Sequence, residues 1–294
     1  MPFPGERLAL NVLNMAALAG PAAAARDVLY ARDPARRLDV YAPASAAGSP
    51  VFVFLHGGGW ETGAKEDDRF VAAALAEQGF LSVAVDYGLY PEVGYPAFLE
   101  DAAKAVAWAK AHAARFGGDP ARIFLLGHSA GAYIAAMLAL DPRWLRAEGL
   151  DPWRDIAGLI GLAGPYDFLP LRSSTLRAIF GPPHDWPQTQ PIAYASSDAP
   201  PTLLAVGRND SVVDPGNTMR LAHRIRALGG AADIVIYPNL SHRGILAAFA
   251  RPLRFLAPVL ADVARFAAAQ PARPIWGQAS CAASHCSSSA PPPP

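Results

Sequence analysis

The feature that most constrains the fold is a short, glycine-flanked turn between two apolar segments. Arg122–Leu126 has the composition of a buried strand, and the Ala-rich segment that begins at Ala130 has the composition of a helix. Only residues 127–129 separate them, and they begin the pentapeptide Gly-His-Ser-Ala-Gly, residues 127–131. Side chains on either side of Ser129 would collide in so tight a turn, and small residues avoid that collision. The chain is therefore expected to contain a strand–turn–helix unit that exposes the Ser129 hydroxyl.

The rest of the chain continues this alternation of strands and helices, with short links rich in Gly and Pro. Apolar or alternating runs predict strands over Arg37–Tyr41, Val51–Leu55, Leu81–Val85, Arg122–Leu126, Ala157–Leu162, Thr202–Val206 and Ala232–Tyr237. Helical spacing predicts helices over Asp67–Gln78, Pro96–Phe116, Pro215–Leu228 and Arg243–Ala269, the last one interrupted at Pro252 and Pro258. This order favours an α/β fold with a mostly parallel central sheet and helices on both faces.

One segment departs from the alternation and shapes the expected domain organisation. Pro165–Pro201 is rich in Pro, Ser, Asp and aromatic residues and is too long for an ordinary connection, so we interpret it as a small cap inserted into a domain 28–269. Residues 1–27 form an N-terminal segment that is either a short helix or a weak signal sequence. Residues 270–294 form a tail of Ala, Ser and Pro that we expect to be disordered.

Charge and cysteine content exclude several classes of protein. The 25 basic and 25 acidic residues cancel and form no run of one sign, so no nucleic-acid partner is expected. No window reaches roughly 18 uninterrupted apolar residues, so no membrane span is expected. We expect a cytoplasmic location unless the N-terminal segment is a signal for the periplasm or for secretion. Both cysteines lie in the tail, where Cys281, His285 and Cys286 are not expected to hold a metal.

Residues 127–131 match the Gly-x-Ser-x-Gly nucleophile elbow, in which the serine lies on a strained turn between a strand and a helix. The pentapeptide alone has little specificity, because small residues often surround serines. The apolar strand before it and the apolar helix after it supply the context that the motif requires. They favour a nucleophilic Ser129 over an incidental glycine-rich turn.

A second glycine-rich loop, His56-Gly57-Gly58-Gly59-Trp60, directly follows the strand Val51–Leu55. A glycine run at this place lets backbone N–H groups point into a site without obstruction. A phosphate-binding loop would need Lys and Ser or Thr after the glycines, whereas Trp60 and Glu61 follow here. We therefore interpret the loop as an oxyanion hole that acts together with the N–H of Ala130. We expect His56 to anchor the loop and not to act as a base.

A serine nucleophile needs a base, and His242 is the histidine best placed for it. It lies in a short loop between the strand Ala232–Tyr237 and the last helix, and a loop at a strand end can bring an imidazole to Ser129. The other six histidines fall in the two glycine-rich loops, in helices, in the cap or in the tail, and are His56, His112, His128, His184, His223 and His285.

The acid that orients the base is expected between the serine and the histidine, and two residues compete for this role. Asp210 and Asp214 both follow the strand Thr202–Val206, and position alone does not separate them. Asp214 directly precedes Pro215, where a helix is predicted to begin, so its carboxylate would accept N–H groups of the first turn. Asp210 has no such structural role, and we expect it to be the partner of His242.

These motifs resemble the α/β-hydrolase superfamily, in the branch of small esterases that carry HGGGW and GHSAG. The sequence is similar to hormone-sensitive-lipase-like carboxylesterases and to arylformamidases. The resemblance covers roughly Val28 to Phe266, with HGGGW, VDYGLYPE, GGDPARIFLLGHSAGAY, GPYDF, GRNDSVV and SHRG in the family order. It implies the α/β-hydrolase fold, a catalytic triad of Ser129, Asp210 and His242, and an oxyanion hole formed by Gly58, Gly59 and Ala130.

We therefore expect a serine carboxylesterase that cleaves small esters through an acyl-enzyme and needs no cofactor or metal. One alternative is an arylformamidase acting on amides that resemble N-formylkynurenine. Another is a catalytically silent binding protein on the same fold, although such a protein would be expected to lose a triad residue. Four aromatic residues are expected to line an apolar pocket for the ester or formamide substrate: Trp60, Tyr133, Tyr166 and Phe168.

One position departs from the pattern that the resemblance implies. Esterases of this type often carry an arginine where Gly88 stands in the motif VDYGLYPE. That arginine is mainly structural, so we expect the change to alter local packing and to leave catalysis intact. Asp86 and Glu92, in the same motif, are expected to be structural as well.

Overall fold

The computed structural model describes residues 12–15, 20–45 and 47–272, and the centre of this described part is one eight-stranded sheet. The strands are β1 (Ala23–Leu29), β2 (Arg37–Tyr41), β3 (Ser49–Leu55), β4 (Leu81–Val85), β5 (Gly118–His128), β6 (Ile156–Leu162), β7 (Thr202–Gly207) and β8 (Ala232–Tyr237). Their order across the sheet is β1-β2-β4-β3-β5-β6-β7-β8. Only the pairings of β2 with β1 and with β4 are antiparallel and the other five are parallel, which confirms the predicted mostly parallel sheet.

Helices cover both faces of the sheet, as predicted from the strand–helix alternation. They are α1 (Arg69–Glu77), α2 (Ala97–His112), α3 (Ala130–Leu140), α4 (Pro142–Ala147), α5 (Pro152–Asp155), α6 (Ser174–Phe180), α7 (Gly216–Ala227), α8 (Gly244–Ala247) and α9 (Val259–Ala269). Turns of 3₁₀ helix cover Ala113–Phe116, Pro183–Thr189, Pro191–Tyr194 and Arg251–Leu256. None of the helices in the described ranges is both long and apolar enough to cross a membrane.

Alternating side chains of the central strands divide the core into two layers. Val51, Val53 and Leu55 of β3 pack with residues of α2, α3 and α7 on one face. Phe52 and Phe54 of the same strand pack with residues of α1 and α9 on the other face. Successive strand residues point to opposite faces, so a run of apolar residues is what a strand buried on both sides requires.

The N-terminal part of the sheet differs from the sequence-based expectation. The predicted N-terminal segment was bounded at residue 27, but that boundary falls inside β1, whose sequence Ala-Ala-Ala-Arg-Asp-Val-Leu has little strand signature. Tertiary contacts hold this strand in place: Lys65, which is buried, places Nζ 2.9 Å from Oδ1 of Asp27 and 3.3 Å from Oδ1 of Asp39 on β2. β1 thus forms because it pairs with β2 and because of this ion pair, and not because its residues have a high intrinsic propensity for strands.

The two ends of the chain extend beyond what the structure describes. Residues 12–15 are helical, and the Oδ1 atom of Asn14 accepts the N–H of Phe70 at the start of α1 at 3.1 Å. The rest of the expected helix or signal before residue 20 lies outside the described residues. The expected disordered tail lies outside them from residue 273 onward, and with it Cys281, His285 and Cys286. The closing helix predicted over Arg243–Ala269 is interrupted at both prolines, and only α8 and α9 are α-helical.

The cap, residues 165–201, connects β6 to β7 and contains α6 and two of the 3₁₀ turns. Asn217 on α7 binds its beginning, because its Oδ1 atom accepts the N–H groups of Tyr166 at 2.9 Å and Asp167 at 2.8 Å. Tyr133 on α3 binds its middle by donating its hydroxyl hydrogen bond to the carbonyl of Thr189 at 2.8 Å. The cap is therefore anchored to helices on one face of the sheet.

Packing around Gly88 leaves no room for a larger side chain at this position. A Cβ atom at Gly88 would lie 2.7 Å from Nη2 of Arg36 and 2.9 Å from Oδ2 of Asp101. The Nε atom of Arg36 donates to the same Asp101 oxygen at 2.5 Å, and the Gly88 N–H donates to it at 3.1 Å. The guanidinium of Arg36 thus occupies the space beside residue 88.

Candidate active site

The candidate site lies at the carboxyl edge of the sheet, where the chain changes direction between β3 and β5. β3 leads to β4 on one side and β5 leads to β6 on the other, so the connections that follow β3 and β5 diverge at this edge. Leu55 of β3 is in register with Gly127 of β5, which brings the loop at His56 beside the turn at Ser129. Crevices at such switch points are the usual ligand sites of parallel sheets.

Ser129 occupies a strained backbone conformation that the surrounding residues enforce. Its φ is 54° and its ψ is −121°, a region that costs energy for any residue other than glycine. A Cβ atom at Gly127 would lie 2.1 Å from the carbonyl oxygen of Gly131, and one at Gly131 would lie 2.0 Å from that of Leu55. The two flanking glycines are therefore required sterically, as the sequence pattern indicated.

The structure brings His242 and Asp210 into a hydrogen-bonded series with Ser129. The Nε2 atom of His242 lies 2.9 Å from Oγ of Ser129, and its Nδ1 atom lies 2.8 Å from Oδ2 of Asp210. The other oxygen of Asp210 accepts the N–H groups of Val212 and Val213, each at 2.9 Å. Burial alone would raise the pKa of Asp210, but the hydrogen bonds from His242 and the two valines outweigh it and lower the pKa below its usual value.

Asp214, the alternative acid, has the structural role that its position suggested. Its Oδ1 atom accepts the N–H of Gly216 at the start of α7 at 3.0 Å, and its Oδ2 atom lies 3.3 Å from Nη1 of Arg220. The side chain is exposed. His242 therefore meets Asp210 and not Asp214.

The loop after β3 holds its peptide groups in fixed orientations. The carbonyl of Gly57 accepts a hydrogen bond from Nδ1 of His56 at 2.7 Å. The carbonyl of Gly58 accepts N–H groups of Glu61 and Thr62, each at 3.1 Å. In a trans peptide the N–H of the next residue points the opposite way, so the N–H groups of Gly58 and Gly59 are directed away from these bonds. Within the described part of the chain, neither of these N–H groups donates a hydrogen bond, nor does that of Ala130.

Tyr87, which sequence reasoning did not assign to the site, supports the same loop. Its hydroxyl donates to the carbonyl of His56 at 2.7 Å, and its ring stacks on the His56 imidazole with centroids 4.4 Å apart. Burial lowers the pKa of His56 to about 4, so the imidazole is neutral and donates through Nδ1. The sequence feature that could have indicated this role is the position of Tyr87, two residues after β4, which is the strand beside β3.

Three of the four aromatic residues predicted to line a pocket, Trp60, Tyr133 and Tyr166, lie in the core instead. Tyr133 and Tyr166 are both 0% exposed, and Tyr133 is bonded to the cap through its hydroxyl. Trp60 is 4% exposed and packs against Phe168, with ring centroids 6.1 Å apart. Only Phe168 is partly exposed. The sequence indicates aromatic side chains near the site, but it does not reveal that packing between the cap and the helices buries most of them.

No group of three or more His, Cys, Asp or Glu residues suited to hold a metal ion occurs within residues 12–15, 20–45 and 47–272. The groups that the site does offer are a hydroxyl, an imidazole, a carboxylate and unpaired backbone N–H donors. Such a set can activate a nucleophile and stabilise a developing oxyanion.

Known proteins resemble this chain in sequence and in structure. The family model described as BD-FAE matches residues 38–225. The isoprenylcysteine alpha-carbonyl methylesterase of Arabidopsis thaliana is 29% identical over an alignment of 239 residues that covers 74% of this chain and 56% of that protein. The esterase LipC of Mycobacterium tuberculosis is 31% identical over an alignment of 226 residues that covers 69% of this chain and 55% of that protein. The chain thus spans little more than half the length of these two relatives.

A solved structure has the same fold as this chain. The hyperthermophilic esterase from the archaeon Pyrobaculum calidifontis superposes with a TM-score of 0.74 at 23% sequence identity. The match covers 90% of this chain and 92% of that one. The predicted α/β-hydrolase fold is therefore confirmed.

Proposed function

The chain belongs to the BD-FAE family, and from this membership and the geometry of the site we propose that it is a serine carboxylesterase that cleaves small carboxylic esters. The observation that carries the proposal is the series Ser129–His242–Asp210, joined by contacts of 2.9 Å and 2.8 Å beside unpaired N–H donors. The ester-hydrolase names of the Arabidopsis and Mycobacterium relatives support an ester as substrate.

The reaction begins with attack of the Ser129 oxygen on the ester carbonyl carbon. His242 accepts the serine proton through Nε2 and then delivers it to the alkoxide that leaves, so an acyl-enzyme and an alcohol are formed. A water molecule then attacks the acyl carbon, with His242 again as the general base, and releases the carboxylic acid. Each half-reaction moves one proton through the same imidazole nitrogen.

Asp210 makes this proton transfer effective by selecting one imidazole tautomer. Because its carboxylate stays ionised, it accepts the hydrogen bond from Nδ1–H of His242 and leaves Nε2 free to accept the serine proton. The same negative charge stabilises the imidazolium that forms during attack. Its bonds to the Val212 and Val213 N–H groups keep the carboxylate from turning away.

The backbone N–H groups of Gly58, Gly59 and Ala130 are the proposed donors to the oxyanion of the tetrahedral intermediate. The hydrogen bonds that hold the Gly57 and Gly58 carbonyls fix the two glycine donors before substrate arrives. Donors that need no reorganisation during the reaction stabilise the transition state most strongly.

A substrate panel tests the proposal and separates it from the alternatives. It consists of p-nitrophenyl esters of increasing acyl length, together with N-formylkynurenine. Turnover of the short-chain esters with an initial burst of p-nitrophenol is expected, since the acyl-enzyme accumulates. Preferred turnover of the formamide would indicate an arylformamidase. Binding of both substrate types without any turnover would indicate a catalytically silent protein.

A further inference from the structure

The residue before the nucleophile makes a contact that the mechanism above does not use. His128 turns its imidazole toward the loop that carries His242, and its Nε2 atom lies 2.9 Å from the main-chain oxygen of His242. The two residues are 114 positions apart in the chain. His128 is 6% exposed, and the centroid of its ring lies 4.8 Å from that of the His242 ring.

The polarity of this contact follows from its partner. A carbonyl oxygen can only accept, so His128 must carry its proton on Nε2 and donate it. Burial, together with the charge of His242, lowers the pKa of His128 to about 3. His128 is therefore a neutral donor at the pH at which esterases work, and it adds no positive charge beside the imidazolium that forms on His242.

Other segments donate hydrogen bonds to main-chain carbonyls of the loop that carries His242 at two points, and His128 supplies one of them. At the first point, the carbonyl of Leu240 accepts the N–H of Asn209 at 3.1 Å, and Asn209 directly precedes the acid, Asp210. A Cβ atom at Gly207 would lie 2.1 Å from this Leu240 oxygen, so the approach of the two loops requires a glycine there. At the second point, the carbonyl of His242 itself accepts the hydrogen bond from His128.

We propose that His128 is a positioning residue for the base, because its Nε2–H holds the main chain of His242 at the distance from Ser129 that proton transfer requires. The turn at residues 127–131 thus contributes the nucleophile Ser129 and also, through the adjacent side chain of His128, a hydrogen bond that holds the base His242 in place. This inference rests on the proposed esterase function and adds to it a residue outside the triad. A donor at the position of Nε2, and not bulk or polarity alone, is what residue 128 must provide.

Three substitutions separate these requirements. In His128→Gln the amide Nε2 can replace the imidazole donor. The side chain in His128→Asn is too short for its amide to reach the carbonyl of His242, and the side chain in His128→Leu has no donor. We expect the Asn and Leu variants to lose about 10- to 100-fold in kcat with little change in KM, since a displacement of about 1 Å can cost about 10²-fold. The Gln variant should keep kcat within about threefold of the unsubstituted protein.

His112 on α2 offers a matched control. Its Nδ1 atom lies 2.8 Å from the carbonyl of Trp108, and its ring stacks on that of Trp108 with centroids 4.5 Å apart. It therefore has the same kind of bond and a similar ring contact away from the site. His112→Gln and His112→Leu should leave kcat and KM unchanged.

A second measurement does not depend on turnover. The proton on Nδ1 of His242, which is bonded to Asp210, should give a downfield imidazole resonance in the proton spectrum of the full chain. We expect that signal to persist in His128→Gln and to broaden or shift in His128→Asn and His128→Leu. Equal kinetics and equal spectra in all three variants, or a Gln variant as impaired as the Leu variant, would overturn the inference. Absence of ester turnover in the unsubstituted protein would instead contradict the proposed function, and the spectra would still test the role of His128.

Discussion

The Nε2 atom of His242 lies 2.9 Å from the Oγ atom of Ser129, although 113 positions separate the two residues in the chain. Ser129 follows β5 and His242 follows β8, and two further strands lie between these in the sheet. The loops after parallel strands emerge at the same edge of a sheet, so the strand order brings the two side chains together. The same edge places Asp210, after β7, on the far side of the imidazole.

The first prediction concerns the choice of acid. Asp210→Asn should lower kcat by roughly 10⁴, because an amide in place of the carboxylate favours the wrong imidazole tautomer. Asp214→Asn is the matched control, since Asp214 is exposed and contacts Gly216 and Arg220 but not His242. Steady-state kinetics on both variants checks the prediction. A large loss of kcat in Asp214→Asn together with a small loss in Asp210→Asn would contradict the prediction, because it would show that Asp214 is the acid.

The second prediction concerns the oxyanion loop. Gly58 has a φ of +123°, and a Cβ atom there would lie 1.9 Å from the carbonyl oxygen of Thr62. Gly58→Ala should therefore displace an N–H donor. The resulting fall in kcat/KM should correspond to a loss of about 2.7 to 4 kcal/mol in transition-state stabilisation. Gly48 also has a positive φ, +71°, but nothing within 4 Å of its Cβ position, so Gly48→Ala is the control. If binding of an uncharged product analogue fell as far as kcat/KM, the loop would only shape the pocket.

The third prediction concerns the anchor of the cap. Asn217 is 4% exposed, and its Oδ1 atom accepts two cap N–H groups. Asn217→Ala would leave both donors unpaired and should lower the free energy of unfolding by about 1 to 3 kcal/mol. Arg220→Ala removes a partly exposed ion pair with Asp167 and should cost at most about 1 kcal/mol. Denaturant titration of both variants tests this ranking, and a larger loss for the arginine would contradict it.

The fourth prediction concerns stability and pH. Burial, with a smaller effect from Asp67, raises the pKa of Asp68 to about 7. A carboxyl group whose folded pKa is raised stabilises the fold while it is protonated, and that contribution is lost as the pH rises through about 7. The free energy of unfolding should therefore fall, relative to that of Asp68→Asn, between pH 4 and pH 8. Denaturant titrations across this range measure the difference, and a constant difference would contradict the prediction.

The parts of the fold that could be predicted are those that local sequence determines. The run Val51–Leu55 indicates a strand buried on both faces, and the glycines around Ser129 indicate a turn without room for side chains. The preference for Asp210 followed from a local rule as well, because Asp214 had the features of a helix start. In each of these cases, neighbours within a few residues decide the conformation.

The parts that could not be predicted depend on contacts between distant segments. β1 has no strand signature of its own and forms because it pairs with β2 and because Asp27 meets the buried Lys65. Tyr133 on α3 and Tyr166 in the cap were expected at a pocket, but both side chains are buried in the core. The bond from His128 to the His242 carbonyl, like that of Tyr87 to His56, depends on the order of strands in the sheet.

The most direct test of the central claim is the mass of the intact chain after reaction with an organophosphonate, followed by peptide mapping. The account predicts one adduct per chain, located at Ser129, because only this serine has a hydrogen-bonded imidazole among the described residues. It also predicts no adduct in Ser129→Ala, together with a loss of about 10³- to 10⁶-fold in kcat. An adduct on another serine, or undiminished ester turnover by Ser129→Ala, would contradict it.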